Sequence, residues 1–359
     1  MLKKGLYFHN GIFNAKSMVT CPFAESAIMT TTRTASIVTI GNAIVDIVTR
    51  ADDDFITAQG MTKSAMNLVD AEASRAIYDA IGPATEVSGG SAANTAVGIV
   101  SCGGDAGFIG KIAHDTLGRI FEHDITAAGV AFPAVYDDNS ITASSIIIVT
   151  PDTERTMNTH LGACITLGPD DLDEAMIAAA DWVYLEGYLF DSPQGPALFD
   201  RAAAIARDSG VKLAVTMSDP WCVERHHAAL SAFVANNADL VFGNEDEIKA
   251  LAGADLDQAI TMLPQLAAET VITRSSNPSV IVTPAETRTV PVEKDVAVVD
   301  TTGAGDLFAG GYLYGRQKGL ALDVSARIGA LAAAEVISHY GARPETSLAG
   351  LISSRDDLS

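Results

Sequence analysis

From Ser36 onward the chain alternates short β-branched, apolar runs with longer stretches in which small and apolar residues recur at helical spacing. Ser36 to Ile44, SIVTIGNAI, is the first such run and reads as a buried strand ending near Gly41 and Asn42. Asp105 to Ile109 reads as another strand, leading to a helix capped by Asp115. Trp182 to Leu185 precedes a helix around Pro196 to Arg207. Val211 to Thr216, Leu240 to Phe242 and Val271 to Thr273 are further short strands, and two Ala-rich helices fill 304–318 and 322–340. Strand alternating with helix predicts an α/β fold, a doubly wound and mainly parallel sheet with helices on both faces. Ligands of such sheets bind beyond the carboxyl ends of strands, where loops turn into helices.

Two stretches break this rhythm. Residues 46–70 and 135–160 carry alternating, Thr-rich segments such as ITASSIIIVT, interrupted by Asp137-Asp138-Asn139 and Pro151-Asp152. They predict antiparallel strands with hairpin turns, forming a small accessory sheet that can act as a lid. The first 34 residues share neither pattern. Lys3 and Lys4 imitate the start of a signal peptide, but His9, Asn10, Asn14 and Lys16 interrupt any apolar segment. That stretch reads as a disordered N-terminal extension, or an over-long start with Met18 or Met29 as initiator. One domain is expected over 35–345, with a C-terminal tail over 346–359.

Composition supports a large core, with 48% hydrophobic and 19% charged residues. The formal net charge of −22 argues against nucleic acid and against an anionic membrane surface, both of which need clustered Lys and Arg. No apolar run reaches the roughly 18 residues of a membrane span. The charge also means that bound phosphates must be neutralised locally, by backbone N–H groups, a divalent cation and a few nearby basic side chains. Cys21, Cys102, Cys164 and Cys222 are scattered, fit neither a disulfide framework nor a zinc site, and point to a reducing cytoplasm.

The strongest local signal is Val298 to Tyr312, VVDTTGAGDLFAGGY. It reads as an apolar strand ending in Asp300-Thr301-Thr302, after which Gly303-Ala304-Gly305-Asp306 opens a helix. Small residues let successive N–H groups converge on an anion at the positive end of a helix dipole. The Asp306 carboxylate then stands where it can take a proton from a hydroxyl aimed at that anion. The plainer alternative is a tight turn with Asp306 as a first-turn acid. This is not a P-loop: no G-x-x-x-x-G-K-[ST] occurs, and the third Rossmann glycine position holds Phe308.

D-T-T-G-A-G-D followed by a small-residue helix resembles the C-terminal signature of the ribokinase-like (PfkB) carbohydrate and nucleoside kinases. Two more blocks resemble the family in the same order. The first is Ser88-Gly89-Gly90-Ser91-Ala92-Ala93-Asn94, with Gly107-Phe108-Ile109-Gly110 and Asp115-Thr116-Leu117-Gly118; the second is Asn244-Glu245-Asp246-Glu247. The resemblance spans roughly 36 to 345 and implies an ATP-dependent kinase that uses Mg²⁺. Asp306 would be the catalytic base, and the N–H groups of Gly303, Ala304 and Gly305 the anion hole. Asn244 and Glu247 would organise Mg²⁺ and phosphate through water, although such a run is also an ordinary capped helix start. Asp46, Asn42, Gly89, Gly90 and Asn94 would grip the hydroxyls of a small-molecule acceptor. Thr273 and Ser275 would touch the nucleotide, but Pro278 stands near an expected Gly and removes a donor. A monovalent cation such as K⁺ near Asp300 is implied by analogy alone.

G-N-x-x-x-D, G-G-S-x-x-N and F-G-N-E-x-E resemble the adenosine kinase branch more than ribokinases. Trp221 falls where an aromatic can stack on a purine, or can instead pack in the core or over a helix start. Leu189 falls where an aromatic often holds the base, which weakens the nucleoside reading. The expectation is a nucleoside acceptor, adenosine favoured, ahead of a sugar such as ribose or fructose. A catalytically weak sugar or nucleoside sensor is the third reading. Both a monomer and a homodimer fit the sequence.

Overall fold

The β-branched runs form strands close to where their composition predicts them. The computed structural model describes residues 35–152 and 154–358, so the extension expected over 1–34 lies outside the described residues. Along the chain come β1 (Ile37–Ile40), β2 (Ile44–Arg50), α1 (Asp53–Ala58), β3 (Met66–Leu68), α2 (Ala71–Ala80), β4 (Thr85–Gly89) and α3 (Ser91–Ser101). Next are β5 (Ala106–Ile109), β6 (Lys111–Ala113), α4 (Thr116–Ala127), β7 (Val135–Asp137), β8 (Ala143–Val149) and β9 (Arg155–His160). The middle of the chain adds α5 (Glu174–Ala178), β10 (Trp182–Glu186), α6 (Gly195–Ser209), β11 (Lys212–Thr216), α7 (Pro220–Asn237) and β12 (Leu240–Asn244). The last part holds α8 (Glu245–Ala252), α9 (Leu256–Met262), β13 (Glu269–Arg274), β14 (Asn277–Val282), β15 (Thr287–Val290), α10 (Ala304–Gln317), α11 (Leu322–Val336) and α12 (Leu348–Ser353).

The main sheet has the order β15-β14-β13-β12-β11-β10-β1-β5. It is parallel from β13 to β5, with β14 and β15 antiparallel at one edge. Successive residues of a strand face opposite sides, so each strand feeds two cores. Val183 and Leu185 of β10 pack among residues of α6 and α7, whereas Trp182 and Tyr184 pack with residues of α3, α10 and α11. The α/β architecture expected from the alternation is therefore present. The stretch 346–359 contributes α12, whose Leu348 is buried in a third cluster with residues of α10 and α11.

The accessory sheet exists, in the order β3-β9-β8-β2-β4, but it is not antiparallel throughout. β2 runs parallel to β8 and β3 parallel to β9; only β8–β9 and β2–β4 are antiparallel. The reason is connectivity: β8 and β9 are joined by a tight turn, whereas β2 reaches β8 only after the chain has passed through α3 and β5. Within 46–70, residues 53–58 are a helix rather than a strand. Asp52 caps it by accepting the Phe55 N–H, and Asp53 and Asp54 suit its first turn.

Two further expectations fail near the glycine loop. Val298 and Val299 do not form a strand: the segment is irregular and Val298 is 63% exposed. Its backbone bonds instead to the end of α11, Val299 N–H donating to Ile337 O at 2.8 Å. The β13–β14 hairpin was not anticipated from the sequence, and its ladder accommodates Pro278. A bulge sets Thr273 against both Pro278 and Ser279, between the pairs Ile272–Val280 and Arg274–Asn277, so the missing N–H falls where the ladder is already interrupted.

Candidate active site

Helices α3 and α10 meet closely because both carry glycine at the crossing. A Cβ on Gly310 would lie 2.9 Å from the Thr95 carbonyl oxygen, and one on Gly98 would lie 2.8 Å from Leu307 Cδ1. This contact brings the start of α10 to the start of α3. Ser91 Oγ donates to Asp306 Oδ1 at 2.6 Å and Asn94 Nδ2 donates to Asp306 Oδ2 at 2.9 Å. Burial pushes the Asp306 carboxyl above its ordinary range, against these two bonds and the nearby Arg343 cation. A carboxylate so placed is held in one orientation and remains a competent proton acceptor.

The glycine loop has the geometry its composition predicts. Gly303 stands at the N-cap of α10 with φ +75°, a conformation that favours glycine, and a Cβ there would strike Ala342 at 2.7 Å. A Cβ on Gly305 would meet nothing within 4 Å, so that position faces open space. The Ala304 N–H is already spent, donating to Thr301 O at 3.2 Å. Of the three residues expected to form an anion hole, Ala304 and Gly305 line the cavity described below, and Gly303 makes the turn before them.

On the acceptor side, Asp46 sits on β2 beside Gly89 of the neighbouring β4, where a Cβ would come within 2.3 Å of Asp46 Oδ2. Asp46 is half-buried, and burial raises its carboxyl to about 6 in spite of Arg343 and Arg155. No hydrogen bond to it is present among the described residues. Asn94 Oδ1 is likewise buried without a partner. Two acceptors lacking donors beside Asp306 call for a ligand with several hydroxyls. Gly90, φ +94°, passes so close to the Asn42 carbonyl oxygen that a Cβ would lie 2.1 Å from it. Asn42 itself is buried and donates through Nδ2 to Glu186 Oε1 at 3.0 Å.

Asp306, Gly305, Ala304, Thr301 and Ser91 form one part of the wall of a cavity of about 690 Å³. The same wall includes Asn244, Glu247, Thr273 and Ser275, together with an apolar slot of Val292, Val296, Val298, Ala330, Ala333 and Ile337. Such a lining, polar at the loop and apolar at the slot, suits a ligand with one charged and one apolar part. Ser218, Ser275 and Asp295, three of the four non-glycine residues with positive φ among the described residues, line this cavity. Backbone strain of this kind concentrates at functional sites. Ser275→Gly should therefore raise stability by up to about 1 kcal/mol by relieving the left-handed serine at φ 53°. Loss of its hydroxyl should raise KM for ATP about fivefold, the scale of one neutral hydrogen bond. Calorimetric melting and steady-state kinetics of the variant check both.

Asn244 and Glu247 are reciprocally bonded. Asn244 caps α8, accepting from the N–H groups of Asp246 and Glu247, while Glu247 accepts the Asn244 N–H at 2.9 Å and its side-chain amide at 2.6 Å. The capped helix start and the cavity-lining role thus coexist. Burial raises Glu247 to about 7 against those bonds. No group of three His, Cys, Asp or Glu able to hold a metal occurs among the described residues. A Mg²⁺ here would have to be carried by phosphates and water.

Asp300 is fully engaged. Oδ1 accepts from Arg155 at 2.5 Å and from the N–H and hydroxyl of Thr302, and Oδ2 accepts the Gly341 N–H. Burial works against its ionised form, but these bonds and the Arg155 charge hold its carboxyl below the ordinary range. Arg155 lies on β9, so this pair ties the accessory sheet to the glycine loop.

Trp221 and Leu189, like Asp46, Asn42, Gly89, Gly90 and Asn94, are not part of this cavity's wall. Trp221 is 68% exposed at the start of α7 and is not part of the cavity wall, and it packs in no core. The turn made by Ser218 at φ 67°, with Pro220 starting the helix, directs it outward. Leu189 is buried in the core beneath the sheet and is not part of this cavity's wall. Two important residues were missed. Arg343 reaches back to bond the carbonyls of Ser88 and Ala93 and the Ser88 hydroxyl, and burial lowers it to about 10 despite Asp124, Asp46 and Asp306 around it. Glu186, buried at the end of β10, is raised by burial to about 7. Neither belongs to a motif. The only available signal was a charged residue closing an otherwise apolar strand, WVYLE.

Comparison with known proteins shows the family. Residues 36–348 match the pfkB family of carbohydrate kinases. A crystal structure of adenosine kinase from Sinorhizobium meliloti is 44% identical, with TM-score 0.83, covering 89% of this chain and 99% of that one. A probable sugar kinase from Rhizobium etli CFN 42 is 41% identical, also with TM-score 0.83, over 90% and 98% of the two chains. The adenosine kinase of Saccharomyces cerevisiae is 30% identical over 331 residues, 86% of this chain and 96% of the yeast protein.

Proposed function

Because the chain belongs to the pfkB family of carbohydrate kinases, we infer that it transfers the γ-phosphoryl group of ATP to a primary hydroxyl of a nucleoside, adenosine being the favoured acceptor. One observation carries the reading. Asp306 is held by Ser91 and Asn94 at the wall of the large cavity, while Asn94 Oδ1 and the Asp46 carboxylate beside it lack hydrogen-bond donors. Sugar hydroxyls supply such donors.

The roles follow from position. Asp46 and Asn94 accept from the sugar hydroxyls and aim the primary hydroxyl at the cavity. Asp306 takes the hydroxyl proton as the oxygen bonds to the γ-phosphorus and the bond to the β,γ-bridging oxygen breaks, its electrons leaving with ADP. The open edge of the loop at Gly305, at the positive end of α10, faces the charge that develops. Mg²⁺ carried on the phosphates would neutralise part of that charge, with Asn244 and Glu247 reaching it through water. The Asp300 oxygens already accept four bonds, so no monovalent cation is assigned to its side chain. The Arg155–Asp300 pair holds the accessory sheet against the loop, which favours exclusion of water during transfer.

A sugar acceptor is the second reading, favoured by the outward position of Trp221 and the burial of Leu189, which leave neither to hold a base. ADP release measured with adenosine, ribose and fructose decides between them. Adenosine should be turned over at least about 100-fold more efficiently than either sugar; the reverse order would establish the sugar reading. Binding without ADP release from any of them would make the chain a sensor and end the kinase reading. No described helix is long and apolar enough to cross a membrane, and the described cysteines, Cys102, Cys164 and Cys222, are free and buried. We place the activity in the cytoplasm on that chemistry.

A further inference from the structure

Helix α3, which carries the acceptor-side Asn94 and the Ser91 that orients Asp306, begins without a cap of its own. Its N-cap residue is Gly90, which has no side chain to satisfy the first N–H groups. The missing acceptor comes from Glu186, 94 residues later: its Oε2 accepts the Ala92 N–H at 2.9 Å. Its other oxygen, Oε1, accepts from Asn42 Nδ2 at 3.0 Å. The carboxylate is 1% exposed, and the backbone makes room for it only because residue 41 is glycine, where a Cβ would lie 2.2 Å from Oε2.

We propose that Glu186 is a positioning residue for phosphoryl transfer: a remote helix cap that locks the first turn of α3 and Asn42 to the end of β10. It touches neither the loop nor Asp306 directly. Its effect passes through Asn42 to the acceptor pocket, and through the Ala92 N–H to the turn that presents Ser91 and Asn94 to Asp306. The two halves of the acceptor site, which come from β1–β2 and from α3, are thereby held in register by one buried carboxylate with a hydrogen bond to each. A negative group also suits this place, since it faces the positive end of the α3 dipole. This inference rests on the kinase reading of the site.

Glu186→Gln tests it, because the amide keeps the size of the side chain but loses the charge, and with its oxygen on the Ala92 N–H it stays bonded to Asn42 only if the Asn42 amide turns over. With the best acceptor of the wild-type chain, KM for the acceptor should rise roughly tenfold and kcat should fall by a similar factor, the scale of one charge-assisted hydrogen bond. KM for ATP should stay within about twofold, since the apolar slot and Thr273 are untouched. Combining it with Asn42→Ala should cost less than the sum of the single changes, because both act through one bond. Wild-type kinetics in Glu186→Gln overturns the proposal. So does an equal rise of both KM values with a lowered melting temperature, which marks a merely structural residue. An inactive wild-type chain would instead end the kinase reading and this inference with it.

Discussion

Asp306→Asn should fold normally, bind its acceptor and lose roughly 10²–10⁴-fold in kcat, the range for a positioned general base. The side chain is held by Ser91 and Asn94 on its two oxygens. The asparagine oxygen can keep one of those bonds, so the geometry survives while the proton acceptor is lost. The effect on stability has a definite sign. Burial raises the Asp306 carboxyl, so its ionised form costs stability once the pH is above the ordinary carboxylate range. At pH 7.5 the variant should melt no lower than the wild type, and any gain should shrink as pH falls toward 4. Titration calorimetry with acceptor, ADP release and melting curves at the two pH values measure all three. A kcat within tenfold of wild type would remove Asp306 from the base role, whatever the melting temperature does.

The second large effect is expected at Arg343. It spans 255 positions in sequence to bond Ser88 and Ala93, among Asp46, Asp124 and Asp306. Arg343→Met removes the donors to two backbone carbonyls and the Ser88 hydroxyl and takes a cation from near three carboxylates, a loss of about 2–3 kcal/mol, the scale of lost hydrogen bonds to a charged group. The same change should move the pH profile. In the wild type, kcat/KM for the acceptor should fall as pH drops through about 6, because a protonated Asp46 cannot accept from hydroxyls on both oxygens. Without the Arg343 charge the ionised forms of Asp46 and Asp306 lose support, and that acid limb should shift to higher pH. Denaturant unfolding and a kcat/KM profile from pH 5 to 8.5 check the two halves separately. An unmoved limb would show that Arg343 serves only to anchor the C-terminal segment.

The two predictions differ in how far they could be read before folding. Asp306 announces itself: a carboxylate one residue past G-A-G, at the start of an apolar helix, is a local pattern whose chemistry survives any tertiary context. Arg343 announces nothing. A single arginine in Gly341-Ala342-Arg343-Pro344 looks like a surface residue until the fold carries it under the turn of Gly89 and Gly90. Glu186 is similar, one acid at the end of a strand, and its purpose depends on α3 lacking a cap.

What the linear chain determined by itself is what short-range backbone chemistry decides. Asp115, Asp219 and Asn244 cap their helices because side-chain oxygens two or three residues away satisfy orphan N–H groups. β-Branched runs became strands, and the glycine loop turned at Gly303 because only glycine takes that φ without strain. Tertiary structure alone decided which side chains meet. The Gly98–Gly310 crossing puts Asn94 against Asp306, the end of β10 brings Glu186 to Asn42, and the C-terminal segment carries Arg343 to Ser88. Those outcomes depend on distances between residues a hundred or more positions apart, which periodicity and propensity do not encode and which close packing of two cores imposes.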